Sequence, residues 1–198
     1  MAEPPRSANV VWQQTQTTRE DRWAALGHAG ATVWLTGLPA SGKSTLAAAV
    51  EARLLAEGRA AYVLDGDNLR HGLNGDLGFS PEDRAENVRR TAEVAALIAD
   101  AGVVSLASLV SPYIADREAA RAVHAHRGIA FREVHVATSL AECERRDPKG
   151  LYARARAGEL DGLTGVGAPY EAPESPDLRV VPDEPLDAAV DRVLALLP

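Results

Sequence analysis

The stretch "GLPASGKS", residues 37–44, has the residue types and spacing that bind nucleotide phosphates, because it fits the pattern G-x-x-x-x-G-K-[ST]. Glycines let the backbone approach phosphates closely, and the loop amides and the N-terminus of a following helix supply positive potential. Lys43 is expected to reach the β- and γ-phosphates, and Ser44 to offer its hydroxyl to Mg²⁺. The predicted residues for binding a nucleoside triphosphate are Gly37, Leu38, Pro39, Ala40, Ser41, Gly42, Lys43, Ser44 and Thr45.

A second stretch, "LDGDNLRHGL" at residues 64–73, sets two carboxylates and a cation directly after a short apolar run. An EF-hand calcium loop is excluded, since its sixth position must be glycine and Arg70 stands there. Phosphoryl transfer needs Mg²⁺ to be held and the acceptor hydroxyl to be oriented or deprotonated, and carboxylates do both. Asp67 is therefore the predicted base or metal-linked residue, and Asp65 is predicted to join Ser44 at the metal. A polar turn between strand and helix is the alternative.

Side chains suited to an anionic, ring-bearing acceptor follow these carboxylates. Arg70 lies about one helical turn beyond Asp67, and Arg84 and Asn87 share one face of a predicted helix. Phe79 precedes that helix and is suited to stacking on a planar ring, with a core position as the alternative. This set favours an acceptor that carries both a ring and a strong anion.

The elements that must position these residues alternate between strand and helix along the whole chain, a pattern typical of the α/β class. Such a parallel sheet, covered by helices on both faces, binds ligands at the carboxyl ends of its strands. Residues 150–178, rich in Gly and Pro, are interpreted as a mobile cover, and the first thirty residues as an arm with a short helix. Predicted strands are 31–36, 60–64, 103–110, 131–137 and 178–182, and predicted helices are 43–58, 80–102, 115–128, 139–147 and 185–197.

Composition narrows the class of protein. A chain of 198 residues fits one domain, and its net charge of -7 argues against general nucleic-acid binding. No apolar run approaches the roughly 18 residues of a membrane span, and the N-terminus lacks the pattern of a signal peptide. Cys143 is the only cysteine, so no internal disulfide is possible and a cytoplasmic location is expected. Because guanine-selecting NKxD motifs are absent, a small kinase is favoured over a switch GTPase.

From about residue 9 to residue 180 the chain closely resembles the adenylyl-sulfate kinases. The most specific stretches are D-G-D-N-x-R at residues 65–70 and R-D-P-K-G-L-Y at residues 146–152. The resemblance implies a three-layer P-loop NTPase fold, with a mainly parallel sheet, helices on both faces and a mobile lid at about residues 144–170. It also implies a single kinase domain, residues 28–198, after an N-terminal arm, residues 1–27.

The reaction that the resemblance implies is ATP-dependent phosphorylation of the 3′-hydroxyl of adenosine 5′-phosphosulfate (APS), giving its 3′-phosphorylated product (PAPS) and ADP in sulfate assimilation. The family uses Mg²⁺ and typically forms homodimers. Ser111 matches a serine often described as a phosphoserine intermediate, but direct in-line transfer needs none, so we interpret it as part of the acceptor pocket. By the same resemblance Arg145 lies near the ATP base, the catalytic residues are Asp67, Lys43, Ser111 and Lys149, and the acceptor-binding residues are Asp67, Arg70, Phe79, Arg84, Asn87, Ser111, Lys149 and Leu163.

Three positions depart from the family pattern. Ile114 stands where Arg is common, Leu163 where Phe is common, and Gly167 where an acid is usual. Losing the Phe removes one stacking platform for the acceptor adenine, worth about 1 kcal/mol. Two alternatives therefore stay open: a kinase of the same scaffold for another small anionic hydroxyl substrate, and a non-catalytic nucleotide-binding subunit. The second would be marked by damage to the phosphate loop or to Asp67, and both are intact.

Overall fold

The computed structural model describes residues 9–11, 13 and 15–198, and the rest of the predicted arm, residues 1–8, 12 and 14, lies outside the described residues. Within the described residues the strands are β1 (Ala31–Thr36), β2 (Ala61–Asp65), β3 (Val104–Ser108), β4 (Ala130–Val136) and β5 (Leu178–Val180). The helices are α1 (Arg19–Leu26), α2 (Lys43–Ala56), α3 (Gly66–Leu69), α4 (Pro81–Asp100), α5 (Ile114–His126), α6 (Leu140–Arg146), α7 (Leu151–Arg156) and α8 (Leu186–Leu194).

All five strands run parallel, in the order β2-β3-β1-β4-β5. The last residue of β3, Ser108, pairs with Leu35 of β1 on one side and with Asp65 of β2 on the other. The carboxyl ends of these three strands therefore meet at one edge of the sheet. The two stretches with candidate site residues, 37–44 and 64–73, both begin at that edge.

Helices cover both faces of the sheet because successive strand residues point to opposite sides. Val33 and Leu35 of β1 pack with α2 and α8 in one buried cluster. Trp34, between them, packs with Phe131 and with Val88 of α4 on the other side. The predicted three-layer α/β fold is confirmed.

Helix α1, which falls in the predicted N-terminal arm, packs against the end of α4. Its Trp23 Nε1 donates to the Ala99 carbonyl at 3.1 Å, and its Arg19 pairs with Asp100 at 2.7 Å. Thr18 caps the start of the helix by accepting from the Asp21 amide. Residues 19–26 are therefore held against α4 by specific contacts.

The predicted strands and long helices are confirmed to within about three residues at their ends. Two short helices, α3 and α7, were not predicted, and α7 lies inside the stretch 150–178 that was interpreted as a cover. Among the described residues, no helix combines the length and the apolar character that crossing a membrane requires.

Candidate active site

The phosphate loop connects β1 to α2. Gly37 opens the loop, and a Cβ at this position would lie 2.6 Å from the Val136 carbonyl oxygen, so no larger residue fits. Gly42 has a φ of +107°, a left-handed conformation that favours glycine, directly before Lys43. Helix α2 has no acidic residue in its first turn, so the positive potential of its N-terminus is left for a ligand.

The Lys43 side chain is buried among the oxygen atoms of this loop. Its Nζ donates to the carbonyls of Gly37 at 2.9 Å and Leu38 at 2.8 Å, and to the Ser41 hydroxyl at 3.3 Å. Burial lowers the pKa of Lys43 to about 8, because desolvation disfavours the ammonium form. The charge that should attract a phosphate is therefore titratable near neutral pH.

Nucleotide affinity is expected to fall as the pH rises through about 8. Below that pH Lys43 in the ligand-free protein is an ammonium ion, and above it the group is increasingly neutral and cannot attract phosphate. The Kd of a non-hydrolysable ATP analogue should rise about tenfold between pH 7 and pH 9, following the loss of the protonated fraction. Calorimetric titration across this range measures it. A Kd that stays constant from pH 7 to pH 9 would contradict the role given to Lys43.

Oxygen ligands suited to a hard cation stand beside the loop. The Ser44 hydroxyl donates to Asp65 Oδ2 at 2.7 Å and lies 3.4 Å from the Ser108 hydroxyl. Asp65 is held in place because its Oδ1 accepts from the Asp67 amide at 3.0 Å and so caps α3. The described residues contain no cluster of three His, Cys, Asp or Glu side chains that could hold a metal. One carboxylate and one hydroxyl fit Mg²⁺, which commonly takes few protein ligands and completes its shell with phosphate and water.

Asp67 lies in the first turn of α3 and forms an ion pair with Lys149. Hydrogen bonding to the carboxylate raises the pKa of Lys149 above its usual value. Both side chains are mostly exposed at the mouth of the site, where a substrate hydroxyl could approach the carboxylate. Asp67, the predicted base, and Lys149, the second lysine of the chain, are therefore in direct contact.

Phe79 contacts two guanidinium groups. The Arg70 guanidinium carbon lies 4.2 Å from the centre of the ring, and that of Arg84 lies 5.5 Å from it. Phe79 itself is 63% exposed, which rules out the core position that was its alternative. Burial lowers the pKa of both arginines, because desolvation disfavours their charge, and an anion bound between them would offset that cost.

Asn87 and Ser111 form part of the inner wall, and both are buried. The Asn87 Oδ1 accepts from the side-chain amide of Asn74 at 2.9 Å. Ser111 has a φ of +37°, and its hydroxyl accepts from Trp34 Nε1 at 3.1 Å while its carbonyl accepts from Arg117 at 2.7 Å. These bonds hold Ser111 in a conformation that is unfavourable for a non-glycine residue.

A single cavity of about 800 Å³ joins these groups. Three residues of the predicted set are not on its wall, namely Gly37, Leu38 and Arg145. The predicted residues that line it are Pro39, Ala40, Ser41, Gly42, Lys43, Ser44, Thr45, Asp65, Asp67, Arg70, Phe79, Arg84, Asn87, Ser111, Lys149 and Leu163.

Arg145 points away from the cavity. Its side chain is 73% exposed and makes two hydrogen bonds of 2.7 Å to Glu142. The next residue, Arg146, lines the cavity and reaches the Ser41 carbonyl at 3.4 Å. The placement of Arg145 at the ATP base stays a prediction.

Ser108 and Tyr152 are among the other wall residues that sequence reasoning missed. Ser108 ends β3 beside Ser44, and the rule that ligands bind at strand ends could have indicated it. Tyr152 is buried on α7 and bonds to the phosphate loop, with its hydroxyl 3.0 Å from the Pro39 carbonyl. No sequence signal marks that contact, since it depends on how α7 lies against the loop.

Comparison with known proteins agrees with this geometry. A family model described as Adenylylsulphate kinase matches residues 29–181. The bifunctional enzyme CysN/CysC of Mycobacterium tuberculosis is 53% identical over 191 residues, which are 96% of this chain and 30% of that protein, so this chain spans about a third of its length. The adenylyl-sulfate kinase of Staphylococcus epidermidis is 46% identical over 96% of both chains. The solved structure of the M. tuberculosis APS kinase CysC with AMPPNP and APS superimposes with a TM-score of 0.83 at 56% identity, covering 85% of this chain and 97% of that one.

Proposed function

The chain belongs to the adenylylsulphate kinase family, and on that premise we propose that it transfers the γ-phosphoryl group of ATP to the 3′-hydroxyl of APS, giving PAPS and ADP. One observation carries the proposal. The phosphate loop, the Asp67 carboxylate and an aromatic ring in contact with two arginines all line one cavity. A triphosphate and a ring-bearing anion can therefore bind in the same cavity, next to the Asp67 carboxylate.

In the proposed reaction Asp67 acts on the acceptor. The 3′-hydroxyl oxygen attacks the γ-phosphorus, the bond to the β–γ bridging oxygen breaks, and the hydroxyl proton passes to the Asp67 carboxylate. Lys149 forms an ion pair with Asp67 and so holds in position the carboxylate that accepts this proton. Lys43 supplies positive charge where the leaving phosphate accumulates negative charge.

Mg²⁺, when bound with the triphosphate, neutralises charge on the phosphate oxygens, and Ser44 and Asp65 are the residues that would hold it. Phe79, Arg70 and Arg84 bind the acceptor in this proposal, the ring by stacking on the adenine and the guanidinium groups by pairing with the phosphosulfate. Asn87, Ser111 and Leu163 complete the acceptor wall. Lys149, which pairs with Asp67, lies in the stretch proposed as a mobile lid, about residues 144–170.

Direct assay of the purified protein tests this function. With MgATP and micromolar to millimolar APS we expect stoichiometric PAPS and ADP, separated by chromatography. The same assay with other nucleotides and with sugar phosphates as acceptors tests the alternative of a different small anionic substrate. No turnover of APS would contradict the proposal. No turnover of any acceptor, with nucleotide still bound, would favour a non-catalytic subunit.

Replacing Leu163 by Phe is expected to tighten the acceptor site. Leu163 lines the cavity next to Gly162 and Thr164, both of which accept hydrogen bonds from Arg84. An added aromatic face should lower the KM for APS about three- to tenfold, the factor of one aromatic stacking contact, and leave the KM for ATP unchanged. Steady-state kinetics measure both constants. The control is Leu97→Phe on the exposed side of α4, and an unchanged or raised KM for APS in the Leu163 variant would refute the stacking argument.

We also propose that the protein acts as a homodimer in the cytoplasm. The dimer rests on the family resemblance, and the location rests on the single cysteine, which is buried. Sedimentation of the full chain at micromolar concentration measures the assembly. A monomer or a larger oligomer would contradict the dimer.

A further inference from the structure

The phosphate loop has a strained alanine between two residues whose carbonyl groups accept hydrogen bonds from side chains outside the loop. Ala40 has a φ of +60°, a left-handed conformation that is unfavourable for a non-glycine residue. The carbonyls that flank it belong to Pro39 and Ser41. A loop whose amides are to face the phosphates must turn its carbonyls toward the protein, and those carbonyls then need hydrogen-bond donors.

Side chains from the segment after β4 provide these donors. The Tyr152 hydroxyl donates to the Pro39 carbonyl at 3.0 Å, and the Thr138 hydroxyl donates to the Ser41 carbonyl at 2.8 Å. Both donors are well buried, with Tyr152 only 2% exposed, so water cannot readily replace them.

The Tyr152 donor is itself fixed in place. Asp147 accepts from the amides of Tyr152 at 3.2 Å and Ala153 at 2.9 Å, which holds the first turn of α7. Burial raises the pKa of the Tyr152 hydroxyl above its usual value, so the group stays a protonated donor in the neutral range. Helix α7 is thus tied to the phosphate loop through one side chain.

We propose that Tyr152 and Thr138 are positioning residues for ATP: by holding the carbonyls on either side of Ala40 they keep the loop amides turned toward the phosphates. The inference rests on the proposed nucleotide site but not on the identity of the acceptor. It also divides the proposed lid, because α7 is anchored to the loop at Tyr152. Motion of the cover should begin beyond that residue.

Tyr152→Phe tests the proposal, because it removes only the hydroxyl. We expect the Kd for AMPPNP and the KM for ATP to rise about three- to tenfold, the factor of one neutral hydrogen bond, with the KM for APS and the kcat at saturating ATP changed less than twofold. Amide hydrogen exchange in residues 37–44 should accelerate. The control is Tyr62→Phe on β2, where the side chain is 58% exposed and outside the cavity, and it should change none of these values.

Thr138→Val is the second variant, and it keeps the shape of the side chain while removing the shorter of the two hydrogen bonds to the Ser41 carbonyl, the other being that from Arg146 at 3.4 Å. It is expected to raise the Kd for AMPPNP by a similar factor, and it decides the matter if Tyr152→Phe does not fold. A merely structural role would lower the unfolding temperature of the variants and leave their nucleotide affinity as in the wild type. That result would overturn the proposal, whereas a wild-type protein that fails to bind AMPPNP would instead overturn the proposed function.

Discussion

Replacing Asp67 by Asn is expected to lower kcat about 1000-fold while the Kd for ATP stays within about twofold of the wild-type value. The amide cannot accept the proton of the acceptor hydroxyl, and general bases contribute roughly 10²- to 10⁴-fold to rates. ATP binding should persist because the carboxylate contacts Lys149 and no residue of the phosphate loop through its side chain. Steady-state kinetics with APS and calorimetry with AMPPNP give the two values.

The fold should tolerate the Asp67 change. The pair with Lys149 is mostly exposed, and exposed pairs contribute little to the free energy of unfolding. Asp191→Asn is a matched control, because that carboxylate is 64% exposed and pairs with Arg53 far from the cavity. It should retain full activity. A kcat above about a tenth of the wild-type value in the Asp67 variant would mean that another group takes the proton or that none is needed.

The central part of the site could be predicted from the sequence because it depends on local pattern. The phosphate loop needs its glycines at fixed spacing, and parallel strands bring their carboxyl ends to one edge, so Asp65 and Ser44 had to lie close together. Phe79 shows the limit of this reasoning. Its position before a helix was compatible with core or surface, and only the packing of Arg70 and Arg84 decided the matter.

The segment after β4 was less predictable because its geometry depends on one turn. Asp147 has a φ of +21° and ends α6, and α7 begins four residues later. Neighbouring helical residues point about 100° apart, so the rotation of α6 decides whether Arg145 or Arg146 faces the cavity. Nothing in "ERRD" determines that rotation. The hydrogen bond from Tyr152 to the phosphate loop could not be predicted from the sequence for the same reason.

Replacing Lys43 by Met is expected to lower kcat about 100- to 1000-fold, the range for removing one preorganised charge or donor at a developing anion. Unlike the Asp67 change, this one should also weaken the binding of AMPPNP, because the ammonium acts on both the bound and the reacting phosphate. The pH dependence of nucleotide binding by the Lys43→Met variant is a second test. The rise in Kd above pH 8 that Lys43 predicts in the wild type should be absent from the variant.

Lys43→Arg tests whether position 43 requires only a positive charge or also the compact shape of the ammonium group. The ammonium is one nitrogen surrounded by the carbonyls of Gly37 and Leu38 and the Ser41 hydroxyl, within 3.3 Å of each. A planar guanidinium has its donors in a wider fork and does not fit that arrangement, so arginine should restore less than a tenth of the activity. Near-wild-type activity in the arginine variant would show that positive charge alone is enough. In that case the compact geometry of the loop would not be the reason for lysine here.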